Sequence, residues 1–289
     1  MFRIFGPPGT GKTTTLLNMV DEALESGIHP HKIAFLAFTR KAANEARDRA
    51  AARFNLDPKK DLSYFRTLHS LALSLSNIRS EQVMQEEHYR ELSETIGVEV
   101  YSSTQVGAFE EDITAITSNK NPILNVINLA RLRKVDLRDQ YNESSLDESW
   151  NVVNYVASSL EAYKGNMGLY DFTDMLDEFI RSAPMTCPHF DLCFIDEAQD
   201  LSPLQWDLAH ILDENSTRTY CAGDDDQAIY RWAGADVDHF INLPGGSETL
   251  SQSYRVPRRV HAVAQTVASR INRRFPKRYE PKKEEALNI

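Results

Sequence analysis

The feature that most limits how this chain can fold is Gly6-Pro7-Pro8-Gly9-Thr10-Gly11-Lys12-Thr13, placed directly behind a short apolar run at 2–5 and ahead of a helical pattern over 14–24. A glycine-rich turn between a strand and a helix lets successive backbone N–H groups converge on one point. The positive end of the helix dipole adds to the same spot. Such a cradle attracts polyphosphate: Lys12 is placed to reach the β- and γ-phosphates, and the Thr13 hydroxyl to hold Mg2+. A chance glycine turn would lack the flanking strand and helix. The loop alone specifies only a nucleotide, so the reaction has to be read from its partners.

Further apolar, β-rich runs recur at 33–38, 192–195 and 219–222, each ending near a glycine, a threonine or an acidic residue and most leading into a helical pattern. That alternation predicts an α/β fold, a parallel sheet flanked by helices whose ligands sit at the carboxyl ends of the strands. One such end is Asp196-Glu197-Ala198-Gln199-Asp200. Adjacent acids on an emerging strand point differently, which suits Asp196 to the Mg2+ shell and Glu197 to the water that attacks the γ-phosphate. Asp200 reads as the acidic cap of a helix over 201–212. A second strand end carries Gly223-Asp224-Asp225-Asp226-Gln227-Ala228-Ile229-Tyr230-Arg231-Trp232.

Between about 77 and 165 the texture turns acidic and amphipathic, which predicts a mostly helical insertion with the polar stretch 139–148 as its linker. The insertion divides one ATPase lobe into 1–76 and 166–249. A new strand-and-helix pattern begins at Glu248, and 250–289 reads as the start of an incomplete second lobe. Within it Arg255, Arg258, Arg259, Arg270, Arg273, Arg274, Lys277, Arg278, Lys282 and Lys283 crowd together, either as a solvated face and tail or as a DNA contact. The formal net charge of −10 restricts any nucleic-acid contact to a local groove, because phosphate binding needs Lys and Arg to displace counterions. Cys187, Cys193 and Cys221 are odd in number and lack zinc or disulfide spacing, so they read as reduced packing residues. No apolar run approaches the roughly 20 residues of a membrane span, and the N-terminus lacks the pattern of a secretory signal. The expected address is cytoplasmic, with no membrane partner.

Taken together, these segments resemble the superfamily 1 DNA helicases of the UvrD, Rep and PcrA kind. Residues 6–13 are similar to motif I, Phe38-Thr39-Arg40-Lys41-Ala42-Ala43 to motif Ia and Thr67-Leu68-His69-Ser70 to motif Ib. Asp171-Phe172-Thr173-Asp174-Met175-Leu176 resembles the stretch before motif II, residues 196–200 motif II, 223–232 motif III and Ser253-Tyr254-Arg255 motif IV. Counterparts of motifs V and VI are not found in the 289 residues.

The resemblance implies a RecA-like P-loop lobe, ATP and Mg2+ as ligands, single-stranded DNA as partner and 3′ to 5′ polarity. It gives catalytic roles to Lys12, Glu197, Gln227 and Arg255: Gln227 would sense the γ-phosphate and Arg255 would contact it across a cleft. Tyr254 would stack on adenine. Phe38, Tyr230 and Trp232 would stack or wedge bases, while Thr39 and His69 would touch phosphate or sugar. A core role for Phe38 or Tyr230, and an interior role for His69, are the competing readings. Arg40 stands where the family often has Asn, and Ala233 where it commonly has Arg or Lys. The missing lobe would come from a second polypeptide or a longer chain. Alone, this chain is expected to bind Mg-ATP, hydrolyse it slowly and leave duplex DNA unopened; the rival reading is an ATP-switched DNA-binding module.

Overall fold

The computed structural model describes residues 1–100 and 121–283; residues 101–120 of the expected insertion and 284–289 of the expected second lobe lie outside the described residues. Six strands form one sheet: β1 (Phe2–Phe5), β2 (Ile33–Ala37), β3 (Phe65–Thr67), β4 (Phe190–Ile195), β5 (Ser216–Gly223) and β6 (Ser247–Thr249). The order is β3-β2-β4-β5-β1-β6 and every pairing is parallel. Among the described residues the α-helices are α1 (Lys12–Glu25), α2 (Arg40–Phe54), α3 (Leu68–Leu75), α4 (Glu86–Ile96), α5 (Pro122–Arg133), α6 (Leu137–Glu143), α7 (Trp150–Met167), α8 (Phe172–Thr186), α9 (Pro203–Glu214), α10 (Val237–Asn242) and α11 (Arg258–Ala268). This is the α/β, RecA-like arrangement the sequence implies.

Strand periodicity sorts the core into two layers. Ile4, Phe35, Phe194 and Ala222 face α1 and α2 on one side of the sheet. Their neighbours Phe5, Leu36, Ile195 and Cys221 face α3, α8 and α9 on the other. With both faces covered, the central strands can be apolar throughout, and all five residues of β2 are buried. Cys193 and Cys221 are buried in the second layer, where burial first of all pushes the Cys221 thiol up to about 12, so these free thiols are packing groups.

Two strands have no counterpart among the apolar runs of the sequence. β3 and β6 are three residues each, too short to carry a period, and they gain strand geometry only by pairing with β2 and β1. The strand expected from Glu248 does form, as β6, and Glu248 pairs with Ile4 in the same sheet.

A third hydrophobic cluster joins α4, α5 and α7 through Leu92, Ile123, Ile127, Val153, Val156 and Leu160. It is tied to the sheet domain by paired segments, with Met84 N–H donating to the Tyr170 carbonyl at 2.8 Å and Tyr170 N–H to the Gln82 carbonyl at 2.7 Å. The polar stretch 139–148 is not a linker. Much of it belongs to α6, and Tyr141 and Leu146 pack against the third cluster. Among the described residues no helix is long and apolar enough to cross a membrane.

A charge knot fastens the helical segment to α8. Arg131 of α5 donates to Asp171 at 2.8 Å, Asp174 at 2.5 Å and Asp177 at 2.9 Å. Lys164 of α7 reaches Asp171 and Asp174, each at 2.7 Å, and Glu161 at 2.8 Å. The carboxylates of Glu161, Asp171 and Asp174 approach one another closely enough for a metal, but the Lys164 ammonium already sits among them. Burial pushes Asp171 up, yet Arg131 and Lys164 outweigh it and hold the carboxyl below its ordinary range. Removing one cation from a buried set strands the opposite charges. Arg131→Ala is expected to cost about 3–5 kcal/mol in urea unfolding. A loss no larger than the ~1 kcal/mol of a surface pair would show that the knot does not clamp the two parts.

Candidate nucleotide site and the aromatic row beside it

The phosphate loop follows β1 at the carboxyl end of the sheet. Its glycines are required by space and by backbone angle: a Cβ on Gly6 would lie 1.8 Å from Lys12 Cγ, and Gly9 and Gly11 hold φ of 71° and 85°. The Thr10 hydroxyl donates to the Pro7 carbonyl at 2.7 Å, closing the turn. Lys12, at the start of α1, donates to the Gly6 carbonyl at 3.1 Å and stands 3.9 Å from a Glu197 oxygen. Thr13 donates its hydroxyl proton to Asp196 Oδ2 at 2.7 Å.

The two acids at the tip of β4 differ as their order along the strand suggests. Asp196 is only 2% exposed. Burial, and then the Glu197 charge, push its carboxyl up to about 6, while Thr13 and Lys12 pull the other way. A buried carboxylate beside a hydroxyl is a donor set of hard oxygens that fits a small divalent cation, whose charge would favour the ionised form. Glu197 has φ of 53°, a left-handed backbone rare outside glycine, and its carboxylate meets Gln199 and stands near Lys12, whereas that of Asp196 meets Thr13.

Gln199 had no role assigned from the sequence, yet it joins the two strand tips. Its amide nitrogen donates to Glu197 and to Asp200, both at 2.9 Å, and its oxygen accepts from Asp224 N–H at 3.0 Å. A Cβ on Gly223 would lie 2.6 Å from that oxygen, so the glycine makes the crossing possible. Asp200 is not a helix cap. Ser202 caps α9 by accepting from Gln205 N–H, and burial together with Glu197 pushes Asp200 up to about 7. Gln227 is exposed and its side-chain amide donates to Asp224. A continuous run of contacts therefore leads from Lys12 through Glu197, Gln199 and Asp224 to Gln227.

The segment after β6 rides on the loop. Ser253 donates its hydroxyl proton to the Pro8 carbonyl and Tyr254 its N–H to the Gly9 carbonyl, each at 2.8 Å. Arg255 is exposed, and its Cβ would lie 2.4 Å from a Cβ on Gly9. Tyr254 is 72% exposed and, with Thr10, Gly11, Thr14 and Gln252, lines a cavity of about 490 Å³ beside the loop.

Phe38, Tyr230 and Trp232 form one row, with ring centroids 5.7 and 6.4 Å apart. Phe38 is partly buried against the core, whereas Trp232 is 59% exposed. Thr39 caps α2, its hydroxyl accepting from Ala42 N–H at 3.2 Å. His69 is 3% exposed and its ring lies 5.6 Å from that of Phe172, so its side chain is interior. Arg40 lines a second cavity, about 410 Å³, between α2 and β3 with Arg47, Lys59, Arg66 and Ser70. Burial and then the Arg47 charge lower the Arg66 pKa, a sign of cations gathered in one place. In the sequence Arg47, Lys59 and Arg66 look like ordinary solvated residues of a helix and a loop, whereas Arg40 belongs to the segment resembling motif Ia. Arg274 and Lys277 of the basic stretch prove to be neither solvated tail nor open groove, since both pair with the acids at 224–226.

Residues 2–245 match the family model described as UvrD/REP helicase N-terminal domain. The chain is 26% identical to an ATP-dependent DNA helicase PcrA of Leuconostoc citreum, over 95% of this chain and 38% of the relative. It is 28% identical to a probable DNA helicase of Mycoplasma pneumoniae, over 94% of this chain and 53% of the relative. With the ATP-dependent DNA helicase Rep of Escherichia coli it shares 25% identity, over 93% of this chain and 41% of the relative. The chain thus spans between 38% and 53% of the length of these relatives. With a phosphate loop, paired acids and a bridging glutamine assembled on a parallel sheet, and the family model covering residues 2–245, the chain belongs to the UvrD/REP helicase N-terminal domain family.

Proposed function

We propose that this chain is the ATP-hydrolysing lobe of a DNA helicase or translocase, acting on Mg-ATP in response to single-stranded DNA, with 3′ to 5′ polarity by its resemblance to the family. The observation that carries the reading is the 2.7 Å bond from Thr13 to Asp196, with Lys12 and Glu197 beside it. Loop N–H groups and Lys12 bind and orient the β- and γ-phosphates, and Tyr254 stacks on the base in the adjoining cavity. Glu197 orients the attacking water and takes its proton. Gln227 and Arg255 contact the γ-phosphate. When bound, Mg2+ neutralises charge on the β- and γ-phosphate oxygens, and Thr13 and Asp196 would hold it.

DNA passes over the aromatic row in this reading, with unpaired bases on Phe38, Tyr230 and Trp232 and phosphates near Thr39, Arg40 and the cationic cavity; His69 contributes through its backbone. We place the helical insertion at 77–165, the two parts of the lobe at 1–76 and 166–249, and the start of a second lobe at 250–289. The exposed Val260, Val263 and Val267 on α11 support a further element covering that helix, supplied by a longer chain or a second polypeptide. A cytoplasmic location accords with this role.

The test is steady-state phosphate release with and without single-stranded DNA. Stimulation by DNA is the expected result; a change in nucleotide affinity without faster release would favour an ATP-switched binding module. Trp232→Ala is expected to weaken binding to an oligothymidylate by about 1–3 kcal/mol, read by fluorescence anisotropy. Unchanged affinity would remove the row from the DNA path.

A further inference from the structure

The acidic turn after β5 carries three consecutive aspartates, and Asp224 and Asp225 are buried, Asp224 completely. Lys277 reaches all three. Lys277, whose side chain is 1% exposed, places its ammonium 3.1 Å from Asp224 Oδ1 and 3.0 Å from Asp226 Oδ2 and donates to Asp225 as well. Burial works against that charge, and the three carboxylates outweigh it, so Lys277 is held above its ordinary pKa.

The lysine is itself seated firmly. Two residues earlier, Phe275 stacks on Phe5 of β1 at 3.8 Å with the rings 4° from parallel, and its N–H donates to Asp225 at 2.7 Å. Arg274 grips Asp226 with two bonds, at 2.9 and 2.6 Å. A stacked ring, a backbone bond and two cations thus press residues 274–277 onto the strand tips. Asp224 does two further things: its N–H donates to Gln199 Oε1, and its carboxylate accepts the Gln227 amide. Its Oδ1 faces Lys277 while its Oδ2 holds Gln227, so a single buried carboxylate lies between them.

We propose that Lys277 is a positioning residue for Gln227: by fixing Asp224 it sets where the Gln227 amide stands, so that the segment following α11 governs the readiness of the nucleotide site. The inference rests on the hydrolytic reading given under the preceding heading. Lys277 touches no reacting atom and acts through Asp224. A shift of the 274–277 segment would release the glutamine, which links movement of the chain beyond α11 to turnover.

The test compares Lys277→Met, Lys277→Arg, Gln227→Ala and the double variant Lys277→Met with Gln227→Ala, all in the full chain. Lys277→Met is expected to lower kcat about tenfold with little change in KM for ATP, and Lys277→Arg to restore most of it. The double variant should hydrolyse no more slowly than Gln227→Ala alone, since two changes acting through one group do not multiply. Hydrogen exchange over residues 224–230 provides a reading independent of turnover and should quicken in Lys277→Met while the amides of β2 stay protected. If Lys277→Met does not fold, Phe275→Ala, which unseats the lysine and keeps every charge, takes its place in the same comparison. Unchanged exchange at 224–230, or losses that multiply in the double variant, would overturn the proposal. Should the unsubstituted chain release no phosphate above a Lys12→Ala control, the hydrolytic reading fails by itself, and exchange still decides whether Lys277 holds the turn.

Discussion

Glu197→Gln is expected to slow ATP hydrolysis by about 10²–10⁴-fold, the contribution of a positioned general base, while leaving nucleotide affinity nearly intact. The geometry explains the separation. Glu197 leaves the tip of β4 with a left-handed backbone, its carboxylate held by the Gln199 amide at 2.9 Å and standing 3.9 Å from Lys12. A glutamine fills the same volume and can still meet Gln199, but its amide cannot accept a proton from water. Single-turnover hydrolysis and equilibrium binding of a fluorescent nucleotide, measured on the same preparation, would separate the two effects. A variant that hydrolyses as fast as the unsubstituted chain would remove Glu197 from the chemistry and leave the phosphate loop as a binding site only.

Lys12→Ala should act on both quantities. The ammonium is the loop's own cation, borne on the first residue of α1 and folded back to the Gly6 carbonyl at 3.1 Å. Phosphoryl transfer relies on positioning and charge neutralisation, so removing this donor is expected to cost about 10²–10³-fold in turnover, together with weaker nucleotide binding. The fold should survive, because Lys12 forms no part of the hydrophobic layers and the glycines that shape the loop remain. Circular dichroism alongside phosphate release distinguishes a chemical loss from an unfolded protein. Binding and turnover both unchanged would mean that triphosphate does not lie in this loop.

The local sequence carried the parts of this protein that depend on short spans. The phosphate loop is legible because its glycines, its lysine and the flanking strand and helix occupy 24 consecutive positions, and backbone angles within so short a span follow from residue type. The central strands are equally plain: buried on both faces, they must be apolar throughout, as Ile33–Ala37 is. The order of Asp196 and Glu197 on one strand tip allowed two different roles to be expected for them, and the structure finds one buried and the other half-exposed.

What only tertiary structure decided involves partners far apart in the chain. β3 is a strand because β2 offers a free edge to three residues that carry no period of their own, and the strand expected from Glu248 proves to pair with β1. Asp200 reads as a cap from its position before a helix, and Ser202 takes that role because it stands immediately before Pro203, the first residue of α9. Arg47, Lys59 and Arg66 resemble solvated residues until α2 and β3 bring them to one cavity. Lys277 resembles one more charge in a basic tail until Phe275 stacks on Phe5 and carries it to Asp224, 53 residues away in sequence. Residue type and near neighbours dictate backbone turns and burial patterns, so those could be read directly. Which cation meets which buried carboxylate depends on how distant segments return to the sheet, and that is settled only when the whole core closes.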